Sequence, residues 1–109
     1  MIPGDIFKAF MEAGNDWADK HGAAELLETN LKTLKAHITL QAKDLEQCSM
    51  AQAETIALAS DGYRDMAQEA VRARTAANRA KVRYDSTKAL FDAQRTVEAS
   101  ERAAMRSAT

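Results

Sequence analysis

The sequence predicts an all-α protein: a short N-terminal helix followed by a long antiparallel helical hairpin of the coiled-coil type. Three observations lead to this fold class. β-branched residues never alternate, the one proline lies at position 3, and nearly all other residues favour helices. Above all, apolar or small residues recur every three or four places in an unbroken heptad seam, at Tyr63, Met66, Ala70, Ala73, Ala77, Ala80, Tyr84, Thr87 and Phe91.

Predicted helix 1 covers about 5–21. Pro3-Gly4-Asp5 has the composition of a helix start, and His21-Gly22 places a glycine where helices commonly end. Its apolar face carries candidate oligomer contacts at Ile6, Phe7, Phe10, Met11 and Trp17. An acidic row at Asp5, Glu12 and Asp19 follows the other face.

Predicted helix 2 covers about 23–59, with a seam through Leu27, Leu31, Leu34, Ile38, Gln41, Leu45, Cys48, Gln52 and Ile56. The two glutamines have two interpretations: a weakly packed stretch, or hydrogen bonds across the interface that fix the register.

Ser60-Asp61-Gly62 is interpreted as a tight turn into predicted helix 3, at about 63–106. The alternative is one long, kinked helix. A turn there sets four pairs of residues against each other: Ile56 with Met66, Leu45 with Ala77, Ile38 with Tyr84 and Leu31 with Phe91. After Phe91 the seam drifts onto Leu90, Ala93, Val97 and Ala104.

The charges are divided along the chain. Residues 1–63 carry 5 Lys and 10 Asp+Glu, whereas residues 64–109 carry 10 Lys+Arg and 6 Asp+Glu. One domain of 109 residues with a thin seam favours self-association, and a homo-oligomer is expected. The single cysteine, the absence of a long apolar run and an N-terminus unlike a signal peptide indicate a cytoplasmic protein without membrane contact.

No cluster of residues indicates catalysis or a cofactor. The two histidines, His21 and His37, are not spaced to act with Cys48, and His37 with Asp44 makes a weak metal pair. The four glycines are isolated, so no phosphate-binding loop is present. We expect neither enzyme activity, nor a metal, nor a cofactor.

Cations of predicted helix 3 are the candidate binding site for an anionic partner. The candidates are Arg72, Arg74, Arg79, Lys81, Arg83, Lys88 and Arg95, with Tyr84 as a stacking face. One interpretation is nucleic-acid binding in replication or recombination, and another is sequestration of a nucleotide-like anion between subunits. The competing interpretation pairs the row Arg74, Lys81, Lys88 and Arg95 with the acidic row of helix 1, in the same subunit or in a neighbouring one.

Three stretches near the C-terminus, 80–85, 90–96 and 101–106, resemble the ends of small all-helical proteins encoded by bacteriophages and prophages, often near replication or recombination genes. The resemblance covers about a quarter of the chain. It implies an accessory protein or inhibitor that works by binding a protein or DNA. The sequence thus predicts a non-catalytic helical interaction or assembly protein.

Overall fold

The computed structural model describes residues 3–108, which form three helices and no strand: α1 Pro3–Glu46, α2 Met50–Ala59 and α3 Asp61–Ala108. Helices α1 and α3 pack against each other as an all-α hairpin, so the predicted fold class is confirmed. The chain divides into two compact units. Unit 1 combines residues up to Asp19 with those from Asn78, and unit 2 comprises Lys20–Ala77.

The predicted end of helix 1 at His21-Gly22 is wrong, because α1 continues through both residues to Glu46. Gly22 does not have a positive φ, so it does not adopt the left-handed conformation of a helix-ending glycine. A separate short N-terminal helix therefore does not exist, and predicted helices 1 and 2 are largely one element.

The first break in the described chain comes instead at Gln47–Ser49. Gln47 has φ 50°, a left-handed conformation that ends α1. Ser49 caps α2: its side chain accepts a hydrogen bond from Gln52 N at 3.2 Å, and Gln52 Oε1 accepts one from Ser49 N at 3.1 Å. This reciprocal capping box satisfies two amides at the start of α2.

A break near residue 60 is confirmed, but it consists of one residue, Ser60, between the end of α2 at Ala59 and the start of α3 at Asp61. Its backbone is extended (φ −71°, ψ 145°), and its hydroxyl accepts a hydrogen bond from Tyr63 N at 3.3 Å. Two of the predicted pairs across this point, Ile38 with Tyr84 and Leu31 with Phe91, are wrong. Tyr84 and Phe91 lie against rings of the first seventeen residues, and Met66 lines a cavity with Leu34 and His37.

The core consists almost entirely of alanine. The buried apolar residues are Ile6, Ala13, Ala24, Ala42, Ala53, Ala57, Ala70, Ala77 and Ala80, and no large side chain among the described residues is fully buried. Every residue of the seam predicted from Tyr63 to Phe91 is buried or half-buried, so that prediction is confirmed.

The other predicted seams hold only in part. On α1 the seam is half-buried from Leu27 to Ile38, but Gln41 and Leu45 are exposed, since Thr39 and Ala42 take the buried positions near the end of α1. Gln52 serves the capping box. The continuation predicted after Phe91 is wrong as an intrachain seam, because its members are exposed: Leu90, Ala93, Val97 and Ala104.

Candidate functional site

Five aromatic rings in unit 1 form a ladder that alternates between α1 and α3. Phe91 lies between Phe7 and Phe10, with centroids 5.8 and 5.2 Å away, and Tyr84 lies between Phe10 and Trp17 at 5.3 and 5.4 Å. Three of these contacts are nearly parallel stacks, with interplanar angles of 14° to 20°. Such pairs add stabilisation beyond the area they bury. The ladder therefore fixes the register of the two helices in unit 1.

Gly14 makes room for this ladder. A Cβ atom at this position would lie 3.3 Å from Cε2 and 3.5 Å from Cδ2 of Tyr84. The absent side chain lets the tyrosine ring lie directly on the α1 backbone, between its two aromatic neighbours. Gly14 therefore allows a close contact between the Tyr84 ring and α1 that a larger residue would crowd.

Cations flank the ladder on both sides. The Arg83 guanidinium lies 3.9 Å from the Asp16 carboxylate, and the Arg95 guanidinium carbon lies 5.9 Å from the centre of the Phe91 ring. Lys81 and Lys88 are exposed and form no ion pair within residues 3–108. This part of α3 therefore exposes two lysines to solvent, while Arg95 covers an aromatic face.

Arg74 is held by a polar cluster in unit 2. Its Nε donates to Glu28 Oε2 at 3.0 Å and its Nη2 to Oε1 at 2.7 Å, which is a bidentate pair. Its Nη1 lies 3.0 Å from His21 Nδ1, and His21 Nε2 lies 3.0 Å from Glu25 Oε1. Since arginine can only donate, Nδ1 accepts and the histidine proton belongs on Nε2, facing Glu25.

The contact between Arg74 and Glu28 stabilises the charged form of both side chains. Hydrogen bonds from Arg74 hold the pKa of the Glu28 carboxyl below its ordinary value, and the same contact raises the pKa of the Arg74 guanidinium. Both side chains remain partly exposed, so water still reaches them. The cluster joins α1 to α3 within unit 2, and each of the three guanidinium nitrogens of Arg74 has a partner in it.

The predicted pairing of the basic row with the acidic row of helix 1 is not found within the described chain. Arg74 pairs with Glu28, and within residues 3–108 no ion pair joins Lys81, Lys88 or Arg95 to the acidic row. Asp16, which lies beside that row, is the residue that meets Arg83. The sequence did not single out Glu28 and His21, although their spacing of seven, with Glu25 between, places them on one face of a helix.

The candidate cations do not converge on one face. Arg72 and Arg74 belong to unit 2, and the others belong to unit 1. At the spacing of α3, Lys81 and Lys88 lie on one flank of the buried seam, whereas Arg79 and Arg83 lie on the other. Tyr84 is half-buried in the ladder rather than open to a stacking ligand.

The candidate oligomer contacts are divided by burial. Ile6 is buried, while Phe10 and Trp17 are half-buried in the ladder of their own chain. Phe7 and Met11 are 51% and 47% exposed and remain open to another molecule. Contact of these residues with a second copy stays a prediction.

Residues considered for catalysis or metal binding stay apart. Within the described part of the chain, no three His, Cys, Asp or Glu residues come together as metal ligands. The Cys48 sulfur lies 3.8 Å from the carbonyl oxygen of Ala42, at the end of α1. None of the helices within residues 3–108 is long and apolar enough to cross a membrane. No family model, curated protein or solved structure matches the chain.

Proposed function

We propose that the protein is a non-catalytic helical assembly protein that works by binding protein, with copies of itself as the first partner. The observation that carries this proposal is the alanine core. A buried alanine removes little apolar surface from water, so the contacts within one chain contribute little stability. The large apolar side chains that would normally form a core are instead exposed on several helices, among them Leu26, Leu40, Leu45 and Val71.

The exposed area supports the same proposal. The chain exposes 7877 Å². A compact monomer of 11.9 kDa exposes about 5,900 Å² by the usual scaling of area with mass. The surplus of about 1,900 Å² is more than the ~800 Å² that each partner contributes to a standard stable interface. The surface is therefore large enough for one such interface and for a further partner.

Sedimentation equilibrium tests the proposal directly. Between low-micromolar and 100-micromolar protein, we expect a mass that is a multiple of 11.9 kDa and a melting temperature that rises with concentration. A monomer that melts cooperatively at micromolar concentration, without a dependence on concentration, would refute self-assembly.

Nucleic-acid binding is the second candidate function, and the exposed Lys81 and Lys88 favour it. A phosphate-binding protein loses affinity steeply as salt rises, since cations on the protein displace counterions from the nucleic acid. Binding that weakens with salt, and weakens further in Lys81→Glu, would support this candidate. Absence of DNA and RNA binding at ~50 mM salt removes it. A phage origin stays a prediction from the resemblance alone.

A further inference from the structure

One side of α3 in unit 1 faces away from the intrachain seam. We name it the back face. From Val82 to Ala104 it carries mostly apolar or small residues, at Val82, Ser86, Ala89, Leu90, Ala93, Val97, Ser100 and Ala104, with Thr96 at its edge. Arg79, eighteen residues before Val97, lies on the same side just before Val82. Val82, Leu90 and Val97 are 66%, 48% and 50% exposed. At the helical spacing of α3, the back face lies opposite the side that holds Tyr84 and Phe91.

The end of α3 has little support from its own chain. Phe91 pairs with Phe7, close to where α1 begins at Pro3, yet α3 continues to Ala108. All the residues from 99 to 108 are exposed. An unsupported helical segment is marginal in water, because most helical stability in proteins comes from packing of an apolar face. This segment therefore needs a neighbour along its length.

We propose that the back face binds the back face of a second copy of the chain, antiparallel, with the two-fold axis at Ala93. This inference rests on the proposed function, since it names the surface that makes the assembly. In this register Val82 faces Ala104 of the second copy, Ser86 faces its Ser100, and Ala89 faces its Val97. Val82 and Val97 each meet an alanine, as close packing of helices requires, and Leu90 faces Thr96.

A parallel arrangement fits the same face poorly. In a parallel, in-register pair Val82 would meet Val82 and Ala104 would meet Ala104 of the other copy. Large side chains would then meet at one level and leave gaps at another. The order of side-chain sizes along the back face therefore selects the antiparallel arrangement.

The charges beside the back face agree with that register. Arg83 and Glu101 are eighteen residues apart, which is five helical turns, so both lie on the same flank of α3. In the antiparallel register Arg83 faces Ala103 of the second copy, and Glu101 of that copy lies two residues, or about 3 Å, along the same flank, within reach of the long arginine side chain. The two-fold symmetry forms this pair twice. Arg83 is available for this contact, since its side chain is 70% exposed and its carboxylate partner within the chain is 3.9 Å away.

Charge reversal tests the register. Arg83→Glu and Glu101→Arg each place like charges together at two points of the dimer, and each should weaken dimerisation about tenfold or more. The double variant restores opposite charges and should recover the wild-type dissociation constant. Arg102→Glu is the matched control, because Arg102 is exposed on the opposite side of α3, and it should leave the constant unchanged. Sedimentation equilibrium gives the constants, and circular dichroism at 222 nm confirms that every variant stays helical.

Cysteine cross-linking tests the direction of the helices. In a Cys48→Ser background, Ala93→Cys should form a disulfide-linked dimer, and Ala104→Cys alone should not. A mixture of Val82→Cys and Ala104→Cys chains should cross-link to each other. Cross-linking of Ala104→Cys by itself would show a parallel pair and overturn the proposed geometry.

Two outcomes separate this inference from the proposed function. If wild-type protein is oligomeric but its mass is unchanged by Val97→Asp and by Arg83→Glu, the back face is not the interface, and assembly occurs elsewhere. If wild-type protein is monomeric, both proposals fail. Val97 is half-exposed, so Val97→Asp should leave the fold of the single chain intact.

Discussion

Replacing Gly22 by alanine should stabilise the protein if the helix continues through this residue and destabilise it if the helix ends there. In the structure Gly22 lies inside α1, is exposed, and has nothing within 4 Å of an added Cβ atom. An alanine there would meet no steric obstacle, and it reduces the backbone freedom that is lost on folding. We expect Gly22→Ala to raise the free energy of unfolding by about 0.5–1 kcal/mol. For a chain of this size the melting temperature should rise by about 2–8 °C.

The assay is thermal unfolding followed by circular dichroism at one fixed protein concentration, because association alters the midpoint. Ala23→Gly is the matched control: the neighbouring exposed position should lose about the amount that Gly22→Ala gains. If Gly22 were instead a left-handed residue that ends a helix, alanine would cost about 1 kcal/mol or more and lower the midpoint. A lowered midpoint for Gly22→Ala would thus refute the continuous α1.

Three further changes probe other points of the fold. Gly14→Ala should lower the midpoint of thermal unfolding, because its Cβ would press on the Tyr84 ring and cancel the stabilisation expected for the same change at the open site Gly22. A midpoint raised as much as in Gly22→Ala would contradict the stacked ladder. Gln47→Gly should raise the free energy of unfolding by about 0.5–1 kcal/mol in urea titrations, since glycine accepts φ 50° without strain; an unchanged value would argue against the left-handed end of α1. Glu28→Gln should remove one part of the acid dependence. The lowered pKa of Glu28 in the folded state adds stability above the ordinary carboxyl pKa, and that stability disappears as the pH falls through the folded-state pKa. Urea titrations from pH 3 to 7 should show a flatter acid limb in the variant, and parallel limbs would contradict the Arg74 pair.

The sequence predicted the buried side of α3 well because that signal is periodic and long. Nine residues from Tyr63 to Phe91 keep one heptad phase, and all of them are buried or half-buried. Alanines in the middle of that seam also indicated a close approach of another helix. Packing of this kind follows from helical geometry alone, so it needs no knowledge of distant contacts.

The helix boundaries were less predictable because isolated glycines are ambiguous. Gly22 has the appearance of a helix end, but only tertiary packing decides whether the backbone turns left-handed there. The true end at Gln47 lacks glycine and proline. A signal was nevertheless present, since Ser49 and Gln52 have the spacing of a capping box. The heptad spacing of Gln52 instead places it in the predicted seam, so the sequence does not predict a helix start at Ser49.

The partners of the basic residues could not be read from the sequence, because they depend on the register between α1 and α3. An error in the position of the turn moves every cation opposite the wrong residues. Arg74 illustrates this: it meets Glu28 and His21 only because α1 is continuous. The back face, in contrast, follows from the spacing of Leu90, Ala93, Val97 and Ala104. The structure adds that these four residues are exposed.

The alanine core also determines which mutations the protein can tolerate. Core positions such as Ala57 and Ala77 have almost no side chain to lose, so the familiar damage from truncating a large residue has few places to occur. Damage comes instead from added volume, because a valine or leucine at these positions would push two closely spaced backbones apart. In a saturation mutagenesis experiment, most intolerant core positions should therefore be alanines, and the exposed large aliphatic residues should tolerate change unless they contact another molecule. Intolerance at Val82, Leu90 or Val97 would then identify contact surfaces rather than the interior.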